Sequence, residues 1–214
     1  MKKSFICLAN SYKEGGRCIA GVEIKNNDVV FKNGNPNWIR PVCKTPHGEV
    51  PNEIAADVKI LDIIEIEVTD FVPDNFQTEN VLFDKTSIKV VGTFDKNNLK
   101  SICDIGHRYI FSNKGKAVSS EQINRLDHSL TLISVKGFEV YEKTYQDSSG
   151  FPQVRLKFTY NTFVYDLPIT DPIFLFNYKR NGQILTKIKE LYLVTSLGVL
   201  FEGWHYKLVA GIIY

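Results

Sequence analysis

At 214 residues, the chain is long enough for one large domain or two small ones. Hydrophobic residues make up 43% and charged residues 23%, as in ordinary globular proteins, so a packed core is expected and a disordered chain is not. A formal net charge of +2 is too small to imply a polyanion partner by itself.

The charge is nevertheless uneven along the chain. Residues 1–44 carry eight Lys/Arg and three Asp/Glu, a net of +5, whereas residues 45–84 carry one Lys and ten acids, a net of −9. Residues 85–127 return to +4 and residues 128–214 to +2. A phosphate-binding surface should therefore draw on the first and third blocks. The alternative is that the acids are only the solvated faces of strands.

SFICLAN opens the strand pattern, and CIAGVEI continues it. Between them lies SYKEGGRCIAG, residues 11–21. Consecutive glycines let backbone N–H groups converge on an anion. Gly15 and Gly16 are flanked by Lys13 and Arg17, and Ser11 adds a hydroxyl, so this loop is a candidate anion cradle. The Walker spacing and its following helix are absent. The alternative is a plain strand-connecting turn that uses glycine only for a positive φ.

VVF and WIRPV follow as short strands. Trp38 offers a flat face to a base, and Arg40, two residues on, shares its side of the strand. The competing account puts Trp38 in a core and pairs Arg40 with one of the acids between 45 and 84. KILDIIEIEVTDF alternates acid and apolar residues, as a strand with one wet face does, and VLF is a further strand. From 84 to 118 the pattern weakens: KTSIKVVGTF reads as a strand and NNLKSICDI as a short helix. SSEQINRLDHS reads as one short helix capped by Ser119 or Ser120.

The β pattern then resumes in SLTLISVKGFEVYEKT and PQVRLKFTYNTFVYDLPI. YNTF reads as a hairpin turn, with Asn161 best suited to an unusual backbone angle. VRLKFTY places Arg155, Lys157 and Thr159 on one side as a basic stripe, with Phe163 and Tyr165 on the next strand. Cations beside rings suit a strand-borne nucleic-acid surface, and a solvated outer face is the alternative. Asp166 and Asp171 both stand beside turn signals, which points to turn capping rather than metal or acid–base work. NYKRNG reads as a turn, ILTKIKELYL has helical spacing, and YKLVAGIIY closes the chain as a strand.

The expectation is an all-β chain with short helices: two five-stranded barrels, residues 1–118 and 129–214, with a helical joint at 119–128. The set SYKEGGRCIAG, WIRPV, ILDIIEIEV, QTENVLF, FTYNTFVYDLPITDP and YKLVAGII resembles the bacterial dual OB domain family, over most of the chain and in order. That resemblance implies two tandem OB folds. It also implies a role in binding nucleic acid or nucleotides, in bacterial or phage conflict systems, and carries over no catalytic residue.

Cys7, Cys18, Cys43 and Cys103 form no C-x-x-C pair, so neither zinc nor a disulfide framework is expected. Cys18 beside Arg17 is a weak nucleophile candidate, since no histidine is tied to it by spacing. The apolar run near the start is short for a signal-peptide core, and no stretch approaches membrane-spanning length. The reading is a cytoplasmic module without catalytic activity, metal or cofactor. Its expected ligand is single-stranded nucleic acid or a nucleotide, held by Ser11, Lys13, Gly15, Gly16, Arg17, Trp38, Arg40, Arg155, Lys157 and Tyr165. Two alternatives stay open: a protein-interaction adaptor that docks a basic partner on the 45–84 block, and an enzyme acting on a phosphorylated substrate at the glycine loop.

Overall fold

The computed structural model describes residues 1–104, 107–145 and 152–214. The first barrel is built from β1 (Lys2–Lys13), β2 (Gly16–Lys25), β6 (Trp38–Val42), β7 (Asp62–Phe71) and β8 (Asn80–Phe83). Short strands β3 (Asp28–Val29), β4 (Phe31–Lys32) and β5 (Asn35–Pro36) lie between β2 and β6, and helix α1 (Asn52–Ala55) between β6 and β7. The pairing order is β1-β2-β6-β8-β7, and β7 returns to β1 to close the barrel. The β6–β8 pair is parallel and the others are antiparallel. Strand β9 (Lys89–Thr93) adds to the free side of β7.

The second sheet repeats the plan. It contains β10 (Ala117–Ser119), then helix α2 (Ser120–Ile123), β11 (Leu130–Lys143), β12 (Gln153–Tyr160), β13 (Phe163–Pro168), helix α3 (Pro172–Arg180), β14 (Leu191–Phe201) and β15 (Trp204–Ile213). The order is β10-β15-β14-β11-β12-β13, and a parallel bridge from Ile169 to Val209 brings the β13 end to β15. In each half a helix sits between the third and fourth barrel strands. This is the five-stranded, partly open barrel plan of an OB fold, used twice. Strand β10, read from sequence as the end of the first domain, pairs with β15 in the second sheet.

Three apolar clusters hold the molecule together among the described residues. One fills the first barrel around Phe5, Cys7, Ile64, Ile66 and Val68. The alternation in DIIEIEV is realised there, with Ile64, Ile66 and Val68 buried and Glu67 in water. Another fills the second barrel around Leu156, Phe158, Tyr165, Leu167 and Leu193. The third lies between the barrels and joins Ile6, Leu8, Ala20, Val22 and Trp38 to Leu130, Leu132, Val194, Ala210 and Ile213. It explains why β1 is buried without interruption from Phe5 to Ser11. One face of β1 fills the first barrel, and the other packs on the second.

Two local readings are corrected. NYKRNG is not a turn: residues 177–180 are the end of α3, which Asp171 caps by accepting the Ile173 and Phe174 N–H groups at 3.0 Å each. A capping acid followed by proline at the first helical position is a start signal. ILTKIKELYL is not a helix either. Residues 183–187 form turns, and Leu191 and Leu193 are already buried on β14 with period two.

Candidate nucleic-acid interface

The glycine stretch is a two-residue hairpin turn between β1 and β2, with Lys13 paired to Gly16. Glu14 (φ 42°) and Gly15 (φ 82°) both take the left-handed region that such a turn requires. Gly16 has a different reason: a Cβ there would stand 2.7 Å from the Val50 carbonyl oxygen, where Arg17 bridges to Val50. Asn52 ties the turn down. It donates to the Gly15 carbonyl and accepts from Arg17 Nε at 3.0 Å. The Arg17 guanidinium also lies 4.9 Å from the Tyr12 ring centre. Local geometry accounts for both glycines as turn and packing residues.

Trp38 is 7% exposed and belongs to the core between the barrels. Arg40 is 2% exposed and pairs with Glu79 at 2.8 Å, while Ser129 bonds to both. The acid for Arg40 does come from the 45–84 block. In this arrangement Trp38 is not a free stacking platform and Arg40 is not a free cation. The cause is the second barrel, which covers the β2–β6 face of the first. In OB folds that face and its flanking loops are the usual ligand surface.

Three of the expected residues do meet. Ser11, Lys13 and Arg40 line one cleft of about 200 Å³ between the barrels. Thr170, Ser196 and Leu208 close it from the second barrel, and Cys18 stands in its wall. Ser11 is 4% exposed.

On the second barrel, Arg155 is 7% exposed and is engaged by Asp166 through Nε at 2.7 Å. Tyr145 and Gln153 also bond to it. Burial pushes the Asp166 carboxyl up, but the Tyr141 hydroxyl and Arg155 together outweigh it and hold the group below its ordinary range. Lys157 is exposed, and its cross-strand partners are Glu139 and Asp166. Tyr165 is 2% exposed, inside the core, with its hydroxyl on the Ile110 N–H and the Asn113 carbonyl. The basic stripe is thus a charge-balanced ladder, and Tyr165 lies on the opposite face from it.

A different cluster gathers at the end of the second barrel. Arg108 lies 5.3 Å from the Tyr109 ring and 5.9 Å from Phe163, and Lys114 lies 5.5 Å and 5.1 Å from the same two rings. Tyr109 and Phe163 meet edge to face at 4.6 Å. Two residues on, Lys116 lies 5.7 Å from Tyr206, which touches Phe201. Phe201 is 61% exposed and Trp204 45%, at the tip of the β14–β15 hairpin. Arg108, Lys114 and Lys116 are all exposed.

The segment that carries the three cations is anchored from below. Ile110 and Phe111 enter the barrel core. Phe111 (φ 52°) and Ser112 (φ 53°) are both left-handed, a costly state for a bulky residue. The Asn113 carbonyl accepts from Tyr165 Oη at 3.2 Å and from Lys207 Nζ at 2.6 Å, which holds the bend. The positive third block marked these cations in the sequence. The ring partner Phe163 lies far along the chain, so nothing in spacing joined them.

No three His, Cys, Asp or Glu side chains converge on one point among the described residues. Among the described residues, no helix is long and apolar enough to cross a membrane. The model of the dual OB-containing domain matches residues 3–212. No curated protein matches the sequence. Among solved structures, the chain is similar to the p204 HINb domain, with 11% identity, 98% of this chain and 96% of that chain covered, and a TM-score of 0.39. It is also similar to a replication protein A heterotrimer bound to ssDNA, with 8% identity, 98% and 48% covered, and a TM-score of 0.36. Likenesses this distant carry no argument about what the chain binds.

Proposed function

The chain belongs to the dual OB-containing domain family, and on that footing we propose that it is a non-catalytic module that binds single-stranded nucleic acid. The observation that carries the reading is the cluster of Arg108, Lys114 and Lys116 over Tyr109, Phe163 and Tyr206. Phosphates pair with such cations and bases stack on such rings, in a way that tolerates sequence. The surface also has a topological rationale. The first barrel's strand face is consumed by packing, so a ligand is left the second barrel and its hairpins. Cytoplasmic residence and a setting in bacterial or phage conflict, both expected from sequence, stay part of this proposal.

Fluorescence anisotropy with a labelled single strand of about 16 nucleotides tests it. Three phosphate contacts give a log–log salt slope of about −2. Phe163→Ala should weaken binding by ~1–3 kcal/mol, and Lys114→Ala should reduce the slope by about 0.7. Salt-independent binding, or full affinity in both variants, would refute the reading.

A second reading is favoured by the cleft that gathers Ser11, Lys13 and Arg40. It suits the phosphate end of a small nucleotide, although Glu79 already balances Arg40. A melting-temperature shift with mononucleotides that Ser11→Ala and Lys13→Ala abolish would select it.

A further inference from the structure

The β14–β15 hairpin ends in a tip that no core cluster absorbs. Phe201 and Trp204 pair across its two-residue turn, and Leu200 pairs with His205 one position further in. Side chains alternate along a strand, so Phe201 and Trp204 share one face of the tip and Leu200 stands on the other. Val199 and Leu200 are 55% and 57% exposed, beside the exposed rings of Phe201 and Trp204. Four large apolar side chains between residues 199 and 204 make a patch of the kind that marks a binding surface.

Local geometry holds the tip in shape. Glu202 (φ 50°) and Gly203 (φ 82°) both take the left-handed region of a tight hairpin turn. Strand β10 flanks β15 there: Ser119 pairs with Trp204, and the Ser120 hydroxyl donates to the Gly203 carbonyl at 3.1 Å. Pairing of β11 with β14 ends at Ser196, so the last residues of β14 are laddered to β15 alone. The result is a stiff blade, supported along one side and apolar on both faces.

We propose that this tip is a wedge that enters the fork of a nucleic acid, where a duplex parts into single strands. Continuity with the cation–ring cluster points to nucleic acid: Phe201 touches Tyr206, and Lys116 lies over the same ring. The two faces point to a fork. A strand lying on a surface offers its bases to one face, whereas a parted base pair leaves two unstacked bases, one for each side of a blade. Apolar side chains do enter between base steps in nucleic-acid complexes, and rings accept stacked bases whatever their sequence. Glu202 at the turn argues against a bilayer as the occupant. It would be the first group to enter the lipid, where a carboxylate is expensive. Between bases it has partners, since the amino group of a base donates to a carboxylate.

Fluorescence anisotropy compares three ligands: a single strand of about 16 nucleotides, a blunt duplex, and a fork whose two unpaired arms have that length. The fork should bind about tenfold tighter than the single strand, the worth of one stacked base, and the blunt duplex should bind most weakly. A fork with its last base pair cross-linked keeps both arms but cannot be parted, and it should lose that gain. Phe201→Ala and Trp204→Ala, both at exposed positions, should each bring the fork-to-single-strand ratio down toward one. Equal affinity for the free and cross-linked forks overturns the proposal. So does a loss by the same factor on fork and single strand in both variants. Co-sedimentation with phosphatidylserine–phosphatidylcholine vesicles that Trp204→Ala abolishes would give the tip to a bilayer and overturn it as well. The inference rests on the proposed function for the strand itself, and the two fail separately. Single-strand binding without a fork preference removes only the wedge, whereas no binding to strand or fork removes the strand surface with it.

Discussion

Lys207 is fully buried on β15, and its ammonium nitrogen donates to the Asn113 carbonyl while lying 5.0 Å from the Tyr165 ring. Burial alone pushes its pKa down to about 7. The unfolded chain holds that proton up to about pH 10.4. Above pH ~7 the unfolded state therefore binds more protons than the folded one, and stability rises with pH. Below pH ~7 the full penalty is present. The gain between about pH 7 and 9 is up to ~2 kcal/mol. Above that, the thiols of buried Cys7 and half-buried Cys103 work the other way. Burial raises Cys7 and pushes Cys103 up to about 12, so both stay protonated in the fold while the unfolded chain ionises them. Denaturant titrations across this range should show a maximum near pH 8–9. In Lys207→Met, stability at pH 7 should increase and the rise should vanish. An unchanged rise would show that Lys207 is not its source.

Arg40 makes a second residue-scale case. Its charge is opposed by Glu79 in a site closed to water. Arg40→Ala should cost ~3–5 kcal/mol, because it strands a buried carboxylate, whereas the double change Arg40→Met with Glu79→Leu should cost much less. Urea denaturation of both variants checks this; equal losses would mean that the pair's charges are not the issue. The sequence carried both readings of Arg40, and only its neighbours could choose between them.

At the scale of elements, α3 hangs on Asp171. Its carboxylate accepts from Ile173 and Phe174 at the helix start and from Ile212 on β15 at 3.2 Å, so one side chain ties helix to barrel. Asp171→Ala should cost about 2–4 kcal/mol, a cap plus a stranded N–H, whereas Asp166→Ala should leave α3 intact. Thermal melts and helical circular dichroism distinguish them. The sequence read Asp166 and Asp171 as turn caps; Asp171 caps a helix instead, and Asp166 lies on β13 against Arg155. The turn at Asn161 was legible because its signal is local, and Asn161 and Thr162 both have positive φ. The helix that follows Asp171 was missed because its apolar residues, Ile173 and Phe176 among them, are largely exposed and blur the amphipathic pattern. The cation–ring cluster was missed because Tyr109 and Phe163 meet through folding, not through spacing.

At the scale of the whole molecule, the apolar core between the barrels makes them one unit. Gly211 marks a close approach: a Cβ there would stand 2.3 Å from the Leu8 carbonyl oxygen on β1. Gly211→Ala must push the barrels apart and should cost about 1–3 kcal/mol, read as a lower melting temperature. Wild type should unfold in a single transition, since separating the halves exposes Leu8, Trp38, Leu132 and Val194 to water. Two resolved transitions in calorimetry would contradict that coupling. The acidic 45–84 block is likewise dispersed by the fold. Glu79 is buried on Arg40, Glu65 pairs with Lys2, and Asp84 caps a turn through Thr86.

Strand alternation, turn residues and capping acids are local physics, written over a few neighbouring positions. They determined the β-rich class, the division into two β-rich halves and most strands, while the tandem OB plan followed from the family resemblance. Which faces meet is not local. The apolar outer face of β2 and β6 looks the same in sequence whether it takes a base or a second barrel, because burial needs only the same kind of side chain. Tertiary packing decided that Trp38 and Arg40 face inward, that the basic stripe is balanced by acids from neighbouring strands, and that Arg108, Lys114 and Lys116 collect beside rings on the second barrel.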